Sequence, residues 1–197
     1  MKFNITGIII SAGFSSRMGD FKPLLKYNGI SFIENIIRKL NLICDEIIIV
    51  TGYNSEKIIE CISALSSDIK NKIIFVHNEN FKEGMFTSLQ KGLLKCNSER
   101  IIYHFVDQPN LPAKFYLDFV SKIKNEYDWI QPIYKGRKGH PIIFNKNVTN
   151  LILTENFCSS LKLISASNKI NKFYWDCNYK EIHSDIDIIN DYLKLKE

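Results

Sequence analysis

The chain has 197 residues, enough for one compact domain and too few for a second independent core. Hydrophobic residues make up 45% and charged residues 24%, the balance of an ordinary soluble globular protein. The formal net charge is +5 and no Lys/Arg run reaches five residues, which excludes the dense basic face of a nucleic-acid binder and leaves a phosphate-rich small molecule as a sufficient partner.

The N-terminus is apolar only up to Ile10, too short for a signal segment or a membrane span, so a cytoplasmic protein with no membrane partner is expected. Strand-sized runs then alternate with segments of helical period. Ile8–Ile10, Ile47–Val50, Ile73–Val76 and Ile101–Val106 read as four strands, each a continuous apolar run of the kind covered on both faces in a parallel sheet. Between them, Phe32, Ile33, Ile36, Ile37 and Leu40 share one helical face; Met85, Leu89 and Leu93 share a second; Phe115, Phe119, Val120 and Ile123 share a third. Farther on, Trp129–Tyr134 and Ile142–Phe144 read as strands flanking a basic, Gly-containing turn. Helices are expected near Asn147–Leu153 and Cys158–Ser165, a strand near Lys172–Asp176, and a last helix from about Ile188. The five cysteines are scattered, with no C-x-x-C pair, which argues against a zinc site or a disulfide framework and favours a reducing compartment. The pattern predicts an α/β fold, a doubly wound, mostly parallel sheet with helices on both faces, as a single domain over residues 1–197. Ligands of such sheets bind beyond the carboxyl ends of the strands.

The first strand runs directly into Ser11-Ala12-Gly13-Phe14-Ser15-Ser16-Arg17-Met18-Gly19, with Lys22 three residues later. Small residues let backbone N–H groups turn toward an anion, and the hydroxyls, Arg17 and Lys22 add donors and positive charge, which suits a nucleoside triphosphate. The spacing fits neither G-x-G-x-x-G nor G-x-x-x-x-G-K-[ST], because Met18 stands where the second Walker glycine belongs. A plain polar strand-to-helix loop is the other reading of this segment. The fourth strand ends in Asp107-Gln108-Pro109, where a carboxylate either holds a hard cation such as Mg²⁺ against phosphate oxygens or starts the turn before Pro109. In Asp185-Ile186-Asp187 an extended backbone would put both carboxylates on one face, unless one of them caps the final helix. Gly139-His140-Pro141 follows the basic Lys135, Arg137 and Lys138, a lead-in suited to an anionic second substrate. His77, His104 and His183 lie in or beside strands and read as structural.

Ser11 to Lys22 resembles the signature of the MobA-like nucleotidyltransferases, and the likeness runs from about Ile8 to Asp191. Ala12 with Ser15-Ser16 is similar to the cytidylyltransferase branch, since the guanylyltransferase branch tends to carry a second glycine at the position of Ala12. The resemblance implies a Rossmann-like nucleotidyltransferase fold in which Ser11, Ala12, Gly13, Phe14, Ser15, Ser16, Arg17, Met18, Gly19 and Lys22 wrap the nucleotide, with Arg17, Lys22 and Asp107 catalytic. It implies that Asp107 and Asp187 hold Mg²⁺, with Asp185 the less favoured ligand, because the family's closing D-I-D-T-P-E-D is kept here only in its aspartates. Gly84 and Ser88, in a G-x-x-x-S-L match, are implied at the nucleotide, and Gly139, His140 and Pro141 at the second substrate. The implied reaction moves CMP from CTP to the terminal phosphate of molybdopterin, the product passing to a molybdenum hydroxylase. GTP as donor, a sugar phosphate as acceptor, and a non-catalytic molybdenum cofactor carrier are the rivals.

Overall fold

A computed structural model describes residues 3–195. Met1, Lys2, Lys196 and Glu197, counted in the domain expected over residues 1–197, lie outside the described residues. In chain order the strands are β1 (Ile5–Ser11), β2 (Lys26–Tyr27), β3 (Ile30–Ser31), β4 (Glu46–Thr51), β5 (Ile73–His77), β6 (Arg100–Phe105), β7 (Trp129–Tyr134), β8 (Arg137–Lys138), β9 (Ile142–Asn145) and β10 (Lys172–Asp176). The helices are α1 (Phe32–Leu40), α2 (Ser55–Ser63), α3 (Ser67–Lys70), α4 (Met85–Leu93), α5 (Ala113–Val120), α6 (Lys146–Thr154), α7 (Leu161–Ala166) and α8 (Ile189–Leu195).

The main sheet runs β10-β7-β9-β6-β1-β4-β5, with β8 folded back on β7 and the β2–β3 hairpin separate. Pairings are parallel from β6 through β1 and β4 to β5 and again between β10 and β7, whereas β9 runs antiparallel to both neighbours. Alternate residues of each central strand feed opposite layers. Ile5, Ile9, Ile47, Ile49 and Ile102 pack with α1, α2 and α5 through Ile33, Ile36, Ile58, Phe115 and Phe119. Ile8, Ile10, Ile48, Val50 and Tyr103 pack with α4, α6 and α7 through Phe86, Leu89, Leu93, Val148 and Ile164. The sheet is thus doubly wound and mostly parallel, as its apolar runs require. No helix among the described residues is long and apolar enough to cross a membrane.

Local chemistry explains the element boundaries. Ser31 caps α1 by accepting from the Glu34 backbone N–H at 3.2 Å, and Glu34 pairs with Arg38 one turn on. A Cβ on Gly92 would sit 2.9 Å from Val50 Cγ2 and 3.2 Å from Ile8 Cγ2, so α4 can lie close on the sheet only with glycine there. The helix expected at Cys158–Ser165 begins instead at Leu161, because the Asn156 side chain accepts from the Cys158 N–H at 3.0 Å and turns the chain first. Val106 lies just past the end of β6, and α2 and α3 fill a stretch that the sequence pattern does not mark, although Ile58, Ile62 and Leu65 bury into the core there. Met85 departs from the buried face of Leu89 and Leu93 and is 52% exposed. His104 lies within β6 and His77 ends β5, and His183, in the 3-10 turn Lys180–His183, lies beside β7 and β8, with Nε2 against the Arg137 carbonyl at 3.1 Å.

His104 is fully buried, with Nδ1 against the Phe105 carbonyl at 2.7 Å and Nε2 against the Tyr116 hydroxyl at 2.7 Å. Burial pushes its pKa down to about 3, so the fold holds the ring neutral. A folded pKa below the unfolded one gives stability that is complete above about 6.5 and lost as pH falls toward 3. Between pH 7 and pH 5 this removes on the order of 2 kcal/mol. In His104→Gln, whose amide does not titrate, the loss between those pH values should be smaller by that amount in urea unfolding. An equal loss in both proteins would contradict the assignment.

Candidate active site

A cavity of about 300 Å³ opens beyond the carboxyl ends of β1 and β6. These strands are neighbours, but the chain leaves β1 for β4 on one side and reaches β6 only after β5, so the strand order reverses between them. That reversal is where open α/β sheets bind ligands. Ser11, Ala12, Gly13, Ser15, Ser16, Arg17 and Lys22 line the cavity from the first loop, Ser88 from α4, Asp107 from the end of β6, and Asp187 from the segment before α8.

The loop is held by its own polar groups. Ser15 adopts a left-handed conformation (φ 56°), its carbonyl accepts from the Met18 N–H at 2.9 Å, and its hydroxyl accepts from the Lys22 N–H at 3.1 Å. Ser15 therefore staples the loop onto the residue that carries its buried charge. Gly52, at the end of β4, has no room for a side chain, since a Cβ would stand 2.8 Å from the Ala12 carbonyl and 2.7 Å from Phe81. The Tyr53 N–H donates to that same carbonyl at 3.1 Å.

Lys22 is the centre of the charged end. Its Nζ donates to Asp187 Oδ1 at 2.9 Å and lies 3.7 Å from Asp107 Oδ2, while the more exposed Arg17 guanidinium reaches Asp187 Oδ1 at 3.8 Å. Two carboxylates 80 positions apart in the chain thus converge on one ammonium. Burial pushes the Asp107 carboxyl up to about 6, against the pull of Lys22, and Oδ1 of Asp107 is buried with no hydrogen-bond partner among the described residues. The Lys22 hydrogen bond holds Asp187 below the usual carboxylate range. Asp185 is turned elsewhere: its Oδ1 accepts from Gln108 Nε2 at 2.7 Å, and burial raises its pKa. Neither aspartate caps α8. Asp191 does so in reverse, its Oδ2 accepting from the backbone N–H groups of Asp187 and Ile188, each at 3.1 Å. Among the described residues no group of three or more His, Cys, Asp or Glu side chains could hold a metal ion. The pair of carboxylates does match Mg²⁺ or a like cation, which needs only one or two protein carboxylates beside phosphate oxygens, and the unpartnered Asp107 Oδ1 is an oxygen of the required kind.

Several expected residues stand apart from the cavity. Met18 is buried with Phe32, Ile186 and Tyr192, so its side chain anchors the loop to α1 and α8. Phe14 packs on Tyr53 and Phe81, with ring centroids 5.1 Å apart in each case, and Gly19 (φ 77°) shares with Phe14 and Tyr53 a neighbouring shallow depression. Gly84 (φ 120°) turns the chain into α4 without lining the cavity. Gly139, His140 and Pro141 lie behind its wall. The His140 ring packs on Phe105 with centroids 4.5 Å apart, and burial pushes its pKa down to about 4. A Cβ on Gly139 would stand 2.6 Å from the Ile182 carbonyl oxygen, which accepts from the His140 N–H at 3.3 Å and from Gln108 Nε2 at 3.1 Å. Pro23, Phe81, Met85 and Phe105 also line the cavity, though nothing in their residue type marks them as functional. Only adjacency to Lys22, Gly84 and Asp107 could have pointed to them.

A family model described as the MobA-like NTP transferase domain matches residues 7–162. The chain is 29% identical over 154 residues to the molybdenum cofactor cytidylyltransferase of Escherichia coli strain K12, covering 73% of this chain and 77% of that one. It is 27% identical over 171 residues to a probable molybdenum cofactor guanylyltransferase of Bacillus cytotoxicus, covering 84% and 82%. Among solved structures, Rv0371c of Mycobacterium tuberculosis H37Rv in complex with manganese matches the fold with a TM-score of 0.74 at 18% identity, over 98% of both chains. The matched span holds the glycine loop, Lys22 and Asp107 at the reversal of the sheet, and on that ground the chain belongs to the MobA-like NTP transferase family.

Proposed function

We propose that this chain, working as one nucleotidyltransferase domain over residues 1–197, moves CMP from CTP to the terminal phosphate of molybdopterin and releases pyrophosphate. The observation that carries the reading is the convergence of Lys22, Asp107 and Asp187 beside the glycine loop. CTP is favoured by Ala12 and by the likeness to the Escherichia coli cytidylyltransferase. GTP is the second reading, supported by guanylyltransferase relatives, one of which matches a larger share of the chain. A molybdenum hydroxylase is the proposed recipient of the product.

The chemistry asks little of a nucleophilic side chain. An oxygen of the acceptor's phosphate, already anionic, attacks the α-phosphorus. The bond from that phosphorus to the α–β bridging oxygen breaks, and its electron pair leaves with pyrophosphate. Catalysis then consists of alignment and charge neutralisation. The loop N–H groups and the unpartnered Ser11 hydroxyl receive phosphate oxygens, Lys22 offsets charge at the carboxylate end of the cavity, and the more exposed Arg17 covers its mouth. A divalent cation, Mg²⁺ in this reading, would be held by Asp107 and Asp187 and would supply further charge neutralisation on the phosphates. The manganese bound by the fold neighbour is consistent with a cation of this class. Gly139, His140 and Pro141 act on the acceptor indirectly, through a turn that sets the His140 ring against Phe105.

Asp107→Asn should lower kcat/KM by at least about 10³-fold, or ~4 kcal/mol, and at the same time raise stability. The Asp107 carboxyl is raised from 3.8 to about 6 in the fold, so its protonated form is the one the fold prefers. Its contribution is complete below about pH 4 and lost as pH rises through about 6. At pH 7.5 in EDTA the ionised group costs on the order of 3 kcal/mol, which Asn removes. Thermal melts should show the variant ahead at pH 7.5, with its lead shrinking toward pH 4. Full activity in Asp107→Asn would defeat the assignment. For the donor, pyrophosphate release measured with each of the four NTPs and Mg²⁺, with and without molybdopterin, should favour CTP over GTP by at least about tenfold, or ~1.4 kcal/mol. Preference for GTP overturns the cytidylyl assignment, and turnover on sugar phosphates alone overturns the acceptor. Tight pterin binding without turnover points to a carrier.

A further inference from the structure

Asn78 follows β5 directly, is fully buried, and uses every hydrogen-bonding atom of its side chain. Oδ1 accepts from the Asn80 N–H at 3.1 Å, and Nδ2 donates to Thr87 Oγ1 and to Ser88 Oγ, each at 2.9 Å. The two hydroxyls that receive these hydrogens differ in what they do next. Thr87 passes its own hydrogen back to the Gly84 carbonyl at 2.8 Å, closing the turn into α4. Ser88 receives from Asn78 and has no acceptor for its own hydrogen among the described residues, yet it lines the active-site cavity. Both Nδ2 hydrogens are committed, so Ser88 Oγ spends a lone pair on Asn78 and keeps its O–H for the cavity.

The part of the cavity lining contributed by α4 and its lead-in is uncharged. The other lining residues from α4 and its lead-in are Met85, three positions earlier on the same helix face, and Phe81. The charged lining residues all come from the first loop, the end of β6 and the segment before α8. An apolar wall with one donor suits the sugar and base of a nucleotide, not its phosphates.

The geometry points to Asn78 as a positioning residue that, by donating to Ser88 and offering it no acceptor, keeps the Ser88 O–H available to an acceptor atom on the nucleoside half of the triphosphate. The inference rests on the nucleotide-transfer reading and adds a residue outside the cavity that sets the polarity of one inside it. Reversing Asn78 to a carboxylate of the same shape reverses Ser88: the hydroxyl then donates to the new Asp and presents only lone pairs to the ligand. Removing the side chain instead leaves the hydroxyl free to donate either way.

Isothermal titration of CTP and GTP into the whole protein and its variants tests this. The expected losses of affinity for the preferred triphosphate are about threefold in Asn78→Ala and about tenfold in Ser88→Ala, with at least tenfold in Asn78→Asp. The double variant Asn78→Asp/Ser88→Ala should bind no more weakly than Asn78→Asp alone, because the donor is already lost. Additive losses in the double variant, or a larger loss in Asn78→Ala than in Ser88→Ala, would show that Asn78 only holds the loop together and would overturn the inference. If circular dichroism shows Asn78→Asp unfolded, the order of the two alanine variants decides alone. Wild-type protein that binds neither triphosphate sinks the nucleotide reading itself, whereas tight wild-type binding with unchanged affinity in Asn78→Asp and Ser88→Ala sinks this inference only.

Discussion

The ammonium of Lys22, shared between Asp107 and Asp187, is the contact on which the site depends. Three charges crowd one end of the cavity, and at Asp107, the more buried of the two carboxylates, a charge without a partner would be strongly disfavoured. Asp107 already shows the strain, since burial outweighs the nearby lysine and leaves its proton held more tightly than usual. Asp187, more exposed and directly hydrogen-bonded, keeps its charge with ease. The loop geometry exists to deliver that ammonium: Ser15 turns left-handed, its hydroxyl fixes the Lys22 backbone, and Met18 is driven into the cluster with Phe32, Ile186 and Tyr192. That cluster also includes the residue between the two aspartates, so a single apolar contact sets the first loop and the last acidic segment against each other.

The sheet supplies the second condition. Parallel strands send their carboxyl ends to one edge, and the reversal between β1 and β6 opens a space there. The antiparallel β9 adds something that an all-parallel sheet would not. Its N-terminal end lies beside the carboxyl end of β6, Tyr103 pairing with Ile142, so the turn that precedes β9 arrives at the functional edge. That is how Gly139-His140-Pro141 comes to stand against Phe105 although it leads into a strand rather than out of one.

Much of this was legible in the residues. Apolar runs without alternation announced strands covered on both faces, and the small residues, hydroxyls and two cations of Ser11–Lys22 pointed to a loop that does line the cavity. The aspartates were legible as residue types, but their meeting on Lys22 was not, since it depends on how the chain closes after β10. Met85 misled because its spacing to Leu89 and Leu93 is that of a core face, and only the placement of the α4 entrance shows that it looks into the cavity. Phe81 and Phe105 carry no chemical mark at all. Helix α2 escaped notice although Ile58, Ile62 and Leu65 keep helical spacing, because it lacks a start signal: Asn54 at its N-cap is left-handed with no side-chain cap. Cys158–Ser165 shows the opposite error, where a helical pattern was preceded by an Asn whose side chain turns the backbone first.

Ile182 joins parts of the molecule that the sequence keeps far apart. Its carbonyl takes hydrogens from Gln108 and from the His140 backbone, and its side chain fills the space that glycine leaves at position 139. The turn after β6, the turn before β9 and the approach to Asp185 and Asp187 are therefore bolted to one residue. The seating of the 139–141 turn and the course of the chain toward the last acidic segment therefore depend on the same side chain and carbonyl.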